Sequence, residues 1–414
     1  MTGTDSRLSA RRAIEALRSG VPSRYAVSVL GSGQGDIEDR IVGLLDGVGT
    51  VRATRRGLLL GAGFGAGKSH VLEHVAHVAL ERGFAVSRIV VSKETPLHDR
   101  AKVLRAAVES AVTDGGLGAA IADAAAGLDP GSPAFAELLR WASSGASPVD
   151  ERFALTLSLL PRVQASDEDF AETIIRFWCG DRIEVGELRK QAKLAGEGRP
   201  ALAGVAAGEL AAQRFRFLAR LFVAAGYRGW LLLFDEVELI GRYPLLQRAK
   251  SYAELAEWLQ PDVDDPAAPL ATVLAMTDDF DAAVLTARND RQVVPAKLRA
   301  KQTSQWDAVA AKSEIGMRLI EREMLLLEPP DADELDGAYS RIKALHSEAF
   351  AWDAPDVAGL ERLGATRMRQ YVRAWINEWD LVRLDPGFRP QTEVATIGTT
   401  SYDEQAELDY DRDD

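Results

Sequence analysis

The sequence has little cysteine and no long apolar run. Cys179 is the single cysteine among 414 residues, which excludes an internal disulfide framework and a metal cage built from several thiolates. No stretch approaches the ~18 consecutive apolar residues of a membrane span, and the segment from Met1 to Ser9 contains no apolar core of signal-peptide length. We therefore expect a cytoplasmic protein that does not enter a membrane.

The chain also lacks an excess of basic charge, because 49 Lys and Arg stand against 62 Asp and Glu and the formal net charge is −13. This balance argues against a broad basic surface that grips nucleic-acid phosphates. Residues 389–414 end in a strongly acidic stretch, which we predict to be disordered. A DNA contact would be local or made through a partner. The most basic stretch is Lys297, Arg299 and Lys301, with Arg288 and Arg291 nearby, and it is either such a contact or a solvated helix face.

Five short apolar runs alternate with segments of helical periodicity. Strands that are separated by helices form parallel sheets covered on both faces, so the pattern predicts an α/β fold with three layers, helix, sheet and helix. The runs are Gly57 to Leu60, Val86 to Val91, Trp230 to Phe234, Ala271 to Met276 and Met324 to Leu327.

Four regions follow from these patterns. Asp331 and Glu334 resemble a capping box at the start of the last helical unit, and Trp375 and Trp379 share one face of its second helix. That tryptophan face favours core packing over a stacking platform for single strands. The regions are an N-terminal helical lead-in (1–47), a core (48–330) with a helical insertion at about 97–221, a C-terminal all-helical lid (331–388) and the acidic tail (389–414).

A glycine-rich loop stands between the first predicted strand and a predicted helix. Its sequence is Gly61-Ala62-Gly63-Phe64-Gly65-Ala66-Gly67-Lys68-Ser69. Such loops turn backbone N–H groups around phosphates, while the lysine reaches the β and γ phosphates and the hydroxyl binds magnesium. The strict motif has glycine where this chain has Ala62. We predict an ATP and Mg²⁺ site whose nucleotide-binding residues are Gly63, Phe64, Gly65, Ala66, Gly67, Lys68, Ser69 and His70.

Acidic residues end the apolar run Leu231 to Phe234. Asp235 is expected in the magnesium shell and Glu236 beside the water that attacks the γ-phosphate, the arrangement called Walker B. The next predicted strand ends at Thr277, where additional-strand ATPases place a polar residue near that water. Hydrolysis is therefore expected, with Glu236, Lys68 and Thr277 as catalytic candidates.

Arginines could supply the cations that neutralise the transition state. Arg367 resembles the sensor 2 position of AAA+ proteins, in which a lid arginine touches the γ-phosphate, and Arg369 follows it closely. Arg318 and Arg322 precede the fifth predicted strand, where such proteins often carry an arginine finger directed into a neighbouring subunit. The sequence does not decide among these four or against a solvated helical arginine.

Three segments together resemble the BREX-associated ATP-binding proteins, often called BrxD: Arg11 to Pro22, Gly63 to His70 and Lys93 to His98. The resemblance spans most of the chain. It implies an AAA+-like fold and a prokaryotic anti-phage role beside an Lhr-like helicase and other system components. It also implies that the Val21-Pro22 region lies near adenine, as in initiator-type AAA+ proteins.

Three functions remain open at this point. The first is an ATP-hydrolysing switch or motor subunit of such a defence assembly, with DNA contacted indirectly and a homo-oligomer possible. The second is a scaffold that binds nucleotide without turnover, and the third is an ATPase that loads or remodels directly on DNA. Glu236 favours the first over the second, and the acidity of the chain counts against the third.

Overall fold

Helices and strands alternate through the sheet-forming part of the chain, and runs of consecutive helices stand before, within and after it. No helix in the part described is long and apolar enough to cross a membrane. The computed structural model describes residues 3–20, 24–50, 54–63, 66–114, 116–117, 119–164, 166–197, 202–356 and 368–388.

The strands form one sheet, and the helices precede, interrupt and follow it. The strands are β1 (Gly57–Gly61), β2 (Ala85–Val90), β3 (Val112–Thr113), β4 (Gly116–Leu117), β5 (Trp230–Asp235), β6 (Leu270–Met276) and β7 (Met324–Leu326). The helices are α1 (Gly3–Ser19), α2 (Arg24–Leu30), α3 (Gly35–Asp46), α4 (Lys68–Glu81), α5 (Arg100–Glu109), α6 (Ala120–Ala126), α7 (Pro133–Ser143), α8 (Glu151–Val163), α9 (Glu168–Cys179), α10 (Val185–Leu194), α11 (Ala207–Ala224), α12 (Leu245–Leu259), α13 (Asp290–Arg299), α14 (Ser304–Glu323), α15 (Ala332–Phe350) and α16 (Met368–Leu384). A 3₁₀ turn covers Val237–Arg242, and a π-helical turn covers Asp281–Thr286.

The strand order in the sheet is β4-β3-β2-β5-β6-β1-β7. All five apolar runs that the sequence marks as strands are strands, and they pair in parallel, with Ile89 opposite Phe234 and Leu59 opposite Leu274. The antiparallel additions β3 and β4 were not predicted, because two residues each are too short for a periodic signal. The predicted α/β class is confirmed.

Both faces of the sheet are covered by helices. On one face Leu58, Leu231 and Val273 pack with α3 and α4. On the other face Leu59, Leu232 and Leu274 join a larger cluster that includes α5, α11, α12 and α14. Successive side chains of a strand point to opposite faces, so the apolar runs that fill β1, β5 and β6 are those of strands buried on both sides.

A separate hydrophobic cluster joins the two ends of the chain. Ile14 of α1 is fully buried with Ile342 of α15 and with Trp375 and Trp379 of α16. The two tryptophans are 6% and 0% exposed, so the predicted packing role is confirmed. The capping box at the start of α15 is also confirmed, because Asp331 and Glu334 each accept a hydrogen bond from the other's backbone N–H.

Helices α12 and α14 approach each other closely at Gly316. A side chain there would overlap the carbonyl oxygen of Tyr252, and three residues earlier Ser313 Oγ donates to the carbonyl oxygen of Ala249 at 2.7 Å. The pairing therefore depends on small residues on α14.

We expect Gly316→Ala to lower the free energy of unfolding by about 2 to 3 kcal/mol, because α12 and α14 would be forced apart. Gly43→Ala is the matched control. Gly43 is also helical, but open space surrounds it, so alanine there should stabilise the protein by about 0.5 to 1 kcal/mol. Urea unfolding of both variants checks this, and equal effects would contradict the close approach.

Candidate functional site

The glycine-rich loop leaves β1 at the carboxyl edge of the sheet and enters α4. The first residues of the loop are hydrogen-bonded to β6, because the Ala62 N–H donates to the Met276 carbonyl at 3.2 Å. Gly67 has φ +103, a conformation that suits glycine. Ala62 is not among the residues with positive φ, so its methyl group causes no backbone strain. Phe64 and Gly65 lie outside the described residues.

Lys68 is folded back over the loop. The residue is 7% exposed. Its Nζ donates to the Ala62 carbonyl at 3.2 Å and lies 3.6 Å from Glu238 Oε1. Ser69 follows on the first turn of α4 and lines an adjacent cavity. The residues that the motif assigns to phosphate and to the metal therefore both line this cavity.

His70 connects the loop to the N-terminal helices. Its Nε2–H donates to the Gly31 carbonyl at 2.7 Å, since the carbonyl can only accept. Burial lowers the pKa of His70, which favours the neutral ring. This contact holds α4 against the segment that follows α2, and the ring also lines the cavity.

Asp235 ends β5 at the same edge of the sheet and is 4% exposed. One carboxylate oxygen accepts the backbone N–H of Glu236 at 3.0 Å, and the other accepts Nη2 of Arg88 at 2.9 Å. Arg88 also donates to Glu73 at 3.1 Å. The negative charge of Asp235 is thus balanced by Arg88 of the neighbouring strand β2. Arg88 was not predicted from the sequence, although a charged residue inside the apolar run Val86 to Val91 was a signal.

Glu236 is half-buried and has φ 58 and ψ 32. A side chain other than glycine rarely adopts this left-handed conformation, and strain of this kind collects at functional sites. The turn that follows begins at once with Val237. The backbone is therefore bent sharply where the predicted catalytic carboxylate stands.

Glu238, a further acidic residue at this edge of the sheet, was not predicted as part of the site. It is 6% exposed, and its Oε2 has no hydrogen-bond partner among the described residues. Burial raises the pKa of Glu238, while the Lys68 ammonium opposes the rise. The sequence did contain a signal for Glu238, which follows Asp235 by three residues. A short turn directly after the strand can place that carboxylate beside the glycine-rich loop.

Thr277 follows β6 and is 8% exposed. The next residue, Asp278, is exposed, and its N–H lies 3.4 Å from the Ala62 carbonyl that also accepts from Lys68. The ends of β1, β5 and β6 thus bring together the loop, Asp235 and Thr277. This is the arrangement that the order of the motifs predicts.

A cavity of about 210 Å³ opens beside Gly67 and Ser69. Its walls come from the phosphate loop, from α1 and α2, and from α15 and α16. Apolar side chains supply much of the surface, and two arginines from the C-terminal helices reach it. The lining includes Leu17, Leu30, Met368, Val372, Arg341 and Arg369.

The cationic candidates occupy different places. Arg369 lines the cavity and donates to the Gly20 carbonyl, and Arg341 donates to the Leu30 carbonyl at 3.3 Å. Arg318 and Arg322 are exposed on α14, away from the cavity lining. Arg367 lies outside the described residues, as do Val21 and Pro22, although their neighbours Gly20 and Ala26 line the cavity.

The basic stretch on α13 is partly neutralised. Arg299 donates twice to Glu314 at 2.9 Å, and Arg291 pairs with Glu321 and Asp281. Lys301 lies over the ring of Trp306 at 4.0 Å. The stretch therefore offers fewer free cations to DNA than the sequence suggests.

The residues fit a nucleotide and a hard divalent cation. The cavity is open to the loop, and no Cβ-sized obstruction lies at Gly67. The Ser69 hydroxyl and the Asp235 carboxylate are oxygen ligands of the type that Mg²⁺ prefers. No group of three or more histidine, cysteine or acidic side chains able to hold a metal occurs in the part of the chain that the structure describes. Mg²⁺ usually binds few protein ligands and keeps several waters beside substrate phosphates, so these two oxygens suit it.

Comparison with known proteins identifies the family. A search of curated proteins and a search of solved structures gave no match. The model of the family described as BREX system ATP-binding protein BrxC/D matches residues 6–121 and 149–395. Those ranges include the loop, the acidic strand end and the helices around the cavity. Membership supports ATP binding and suggests a role in a BREX defence system. The chain belongs to the BrxC/D family of BREX system ATP-binding proteins.

Proposed function

We propose that this protein is an ATP-hydrolysing, magnesium-dependent switch or motor subunit of a BREX defence system. One observation carries the proposal. Lys68 and Ser69 line a cavity that α1, α2, α15 and α16 enclose, and Lys68 Nζ lies 3.6 Å from Glu238 in the turn that follows Asp235 at the end of β5.

The residues divide the chemistry among them. The loop amides and Lys68 hold the β and γ phosphates, while Ser69 and Asp235 hold magnesium. Magnesium, when bound, neutralises phosphate charge. Glu236 accepts a proton from the attacking water, and Thr277 orients that water. Asp235 can accept from Arg88 on one oxygen and still offer a lone pair to the cation, because an ionised carboxylate has about four acceptor positions.

The cavity explains how nucleotide could move the protein. A base in it would contact α1 and α2 together with α15 and α16. Helices α1, α15 and α16 share one hydrophobic cluster, so they would respond as one lid to the occupant of the site. Arg341 and Arg369, with Arg367, are the candidate lid cations. Arg318 and Arg322 remain candidates for a finger that acts on a neighbouring subunit.

The lid movement acts on a partner, for which an Lhr-like helicase or another DNA-processing component is the candidate. The neutralised basic stretch on α13 favours indirect contact with DNA over direct loading.

We expect ATP turnover to rise when the purified protein meets its helicase and DNA, because the partner would capture the closed lid. Release of inorganic phosphate measures this for the protein alone, with the helicase, and with the helicase and DNA. A variant with alanine at Lys297, Arg299 and Lys301 is the control and should respond as the wild type does. Bound ATP that stays intact in every mixture would favour the scaffold function and overturn hydrolysis.

A further inference from the structure

Glu238 occupies a position that the proposed chemistry does not use. It lies in the 3₁₀ turn after β5, and its side chain is 8% exposed, the same fraction as that of Lys68. Its Oε1 is 3.6 Å from Lys68 Nζ. Asp235, the acidic residue that ends β5, pairs with Arg88 instead. Glu238 is therefore the direct anionic partner of the phosphate-binding lysine.

The pairing is incomplete on the carboxylate side. Glu238 Oε2 is buried without a hydrogen-bond partner among the described residues. A buried carboxylate oxygen without a donor is destabilising. The arrangement therefore does not resemble a fully satisfied structural ion pair, in which each oxygen finds a donor. It resembles an ion pair that breaks when a phosphate replaces the Glu238 carboxylate beside Lys68.

We propose that Glu238 is the internal counter-anion of Lys68 in the nucleotide-free protein and that a bound phosphate must displace it. The inference rests on the proposed function, since it assigns regulation to the same site. A phosphate that approaches the Lys68 ammonium meets the negative charge of Glu238, whose Oε1 lies 3.6 Å from the same nitrogen. Two anions that share one buried cation repel each other. Glu238 thus lowers the affinity for nucleotide and pairs again with Lys68 when product leaves.

The test is the affinity for ATP and for ADP, measured by calorimetry with magnesium chloride. Glu238→Gln keeps the shape and removes the charge, and Glu238→Leu removes both oxygens. We expect either variant to bind both nucleotides about tenfold more tightly than the wild type, from the loss of one like charge at short range. If Glu238 only supported the structure of the site, either substitution would weaken nucleotide binding. Having two variants keeps the test valid where one fails to fold.

Glu81→Gln is the matched control, because Glu81 is an exposed carboxylate at the far end of α4. It makes the same change in net charge and should alter affinity less than twofold. If the wild type binds ATP and both Glu238 variants bind it equally or more weakly, this inference is overturned and the proposed function stands. If the wild type and all variants bind no nucleotide, both are overturned.

Discussion

Lys68→Ala is expected to lower the affinity for ATP about 100-fold or more, because two effects act in the same direction. The substitution removes the ammonium that the phosphates need. It also leaves the buried carboxylate of Glu238 without its cation, 3.6 Å from where the amine was. That carboxylate then repels the incoming nucleotide. Calorimetry with ATP and magnesium chloride measures the loss.

The control for Lys68→Ala is Lys297→Ala, which removes the same charge from an exposed position on α13. It should bind ATP as the wild type does. Thermal unfolding of Lys68→Ala without nucleotide separates lost binding from lost folding, since a buried charge left alone also destabilises. A folded Lys68→Ala protein with unchanged affinity would rule out the loop as the phosphate site.

A double variant separates the two effects. Lys68→Ala combined with Glu238→Gln removes the ammonium and the repelling carboxylate together. We expect its loss of affinity to be smaller than that of Lys68→Ala alone, because residues in contact are not additive. If the two losses are equal, the repulsion makes no contribution and the ammonium carries the whole effect.

Local patterns predicted the sheet and the loop well. The runs of Leu231 to Phe234 and of Ala271 to Met276 are apolar throughout, as strands buried on both faces must be, and they are β5 and β6. The capping box of α15 depends on two residues three apart. Such features are visible in a sequence because the residues that make them are neighbours along the chain.

Contacts between segments that are far apart along the chain could not be predicted from the sequence. The burial of α1 against α15 and α16 joins residues more than 300 positions apart, as the Arg11 Nε contact with the Ala349 carbonyl illustrates. Helical periodicity shows which face of α1 is apolar but not what covers it. The walls that α2 and α15 supply to the cavity therefore came only from the structure, and Arg341 was not a candidate before it.

The same division between local and long-range features applies to the site. Lys68 and Asp235 follow from strand ends and motif spacing, whereas their partners Glu238 and Arg88 do not. Arg88 reaches Asp235 because β2 pairs with β5, with Val90 opposite Asp235. Strand order is a long-range property, so the pairing of charges across strands requires the fold first.

The strained backbone at Glu236 has a measurable consequence. Its φ of 58 is one of four positive values at residues other than glycine in the described part of the chain. Holding such a residue in this conformation costs about 1 to 3 kcal/mol. A site that keeps this strain to place a carboxylate should become more stable when the carboxylate is removed and glycine takes its place.

Glu236→Gln is expected to lower ATP turnover about 10² to 10⁴-fold while ATP still binds, because the amide cannot accept the water's proton. Glu236→Gly should lose turnover equally and raise the free energy of unfolding by about 1 kcal/mol. Gln302→Gly is the control: Gln302 has φ 53 on the exposed surface, so glycine there should stabilise without changing turnover. Phosphate release and urea unfolding measure the two properties, and a Glu236→Gln protein that still hydrolyses ATP at the wild-type rate would remove Glu236 from the mechanism.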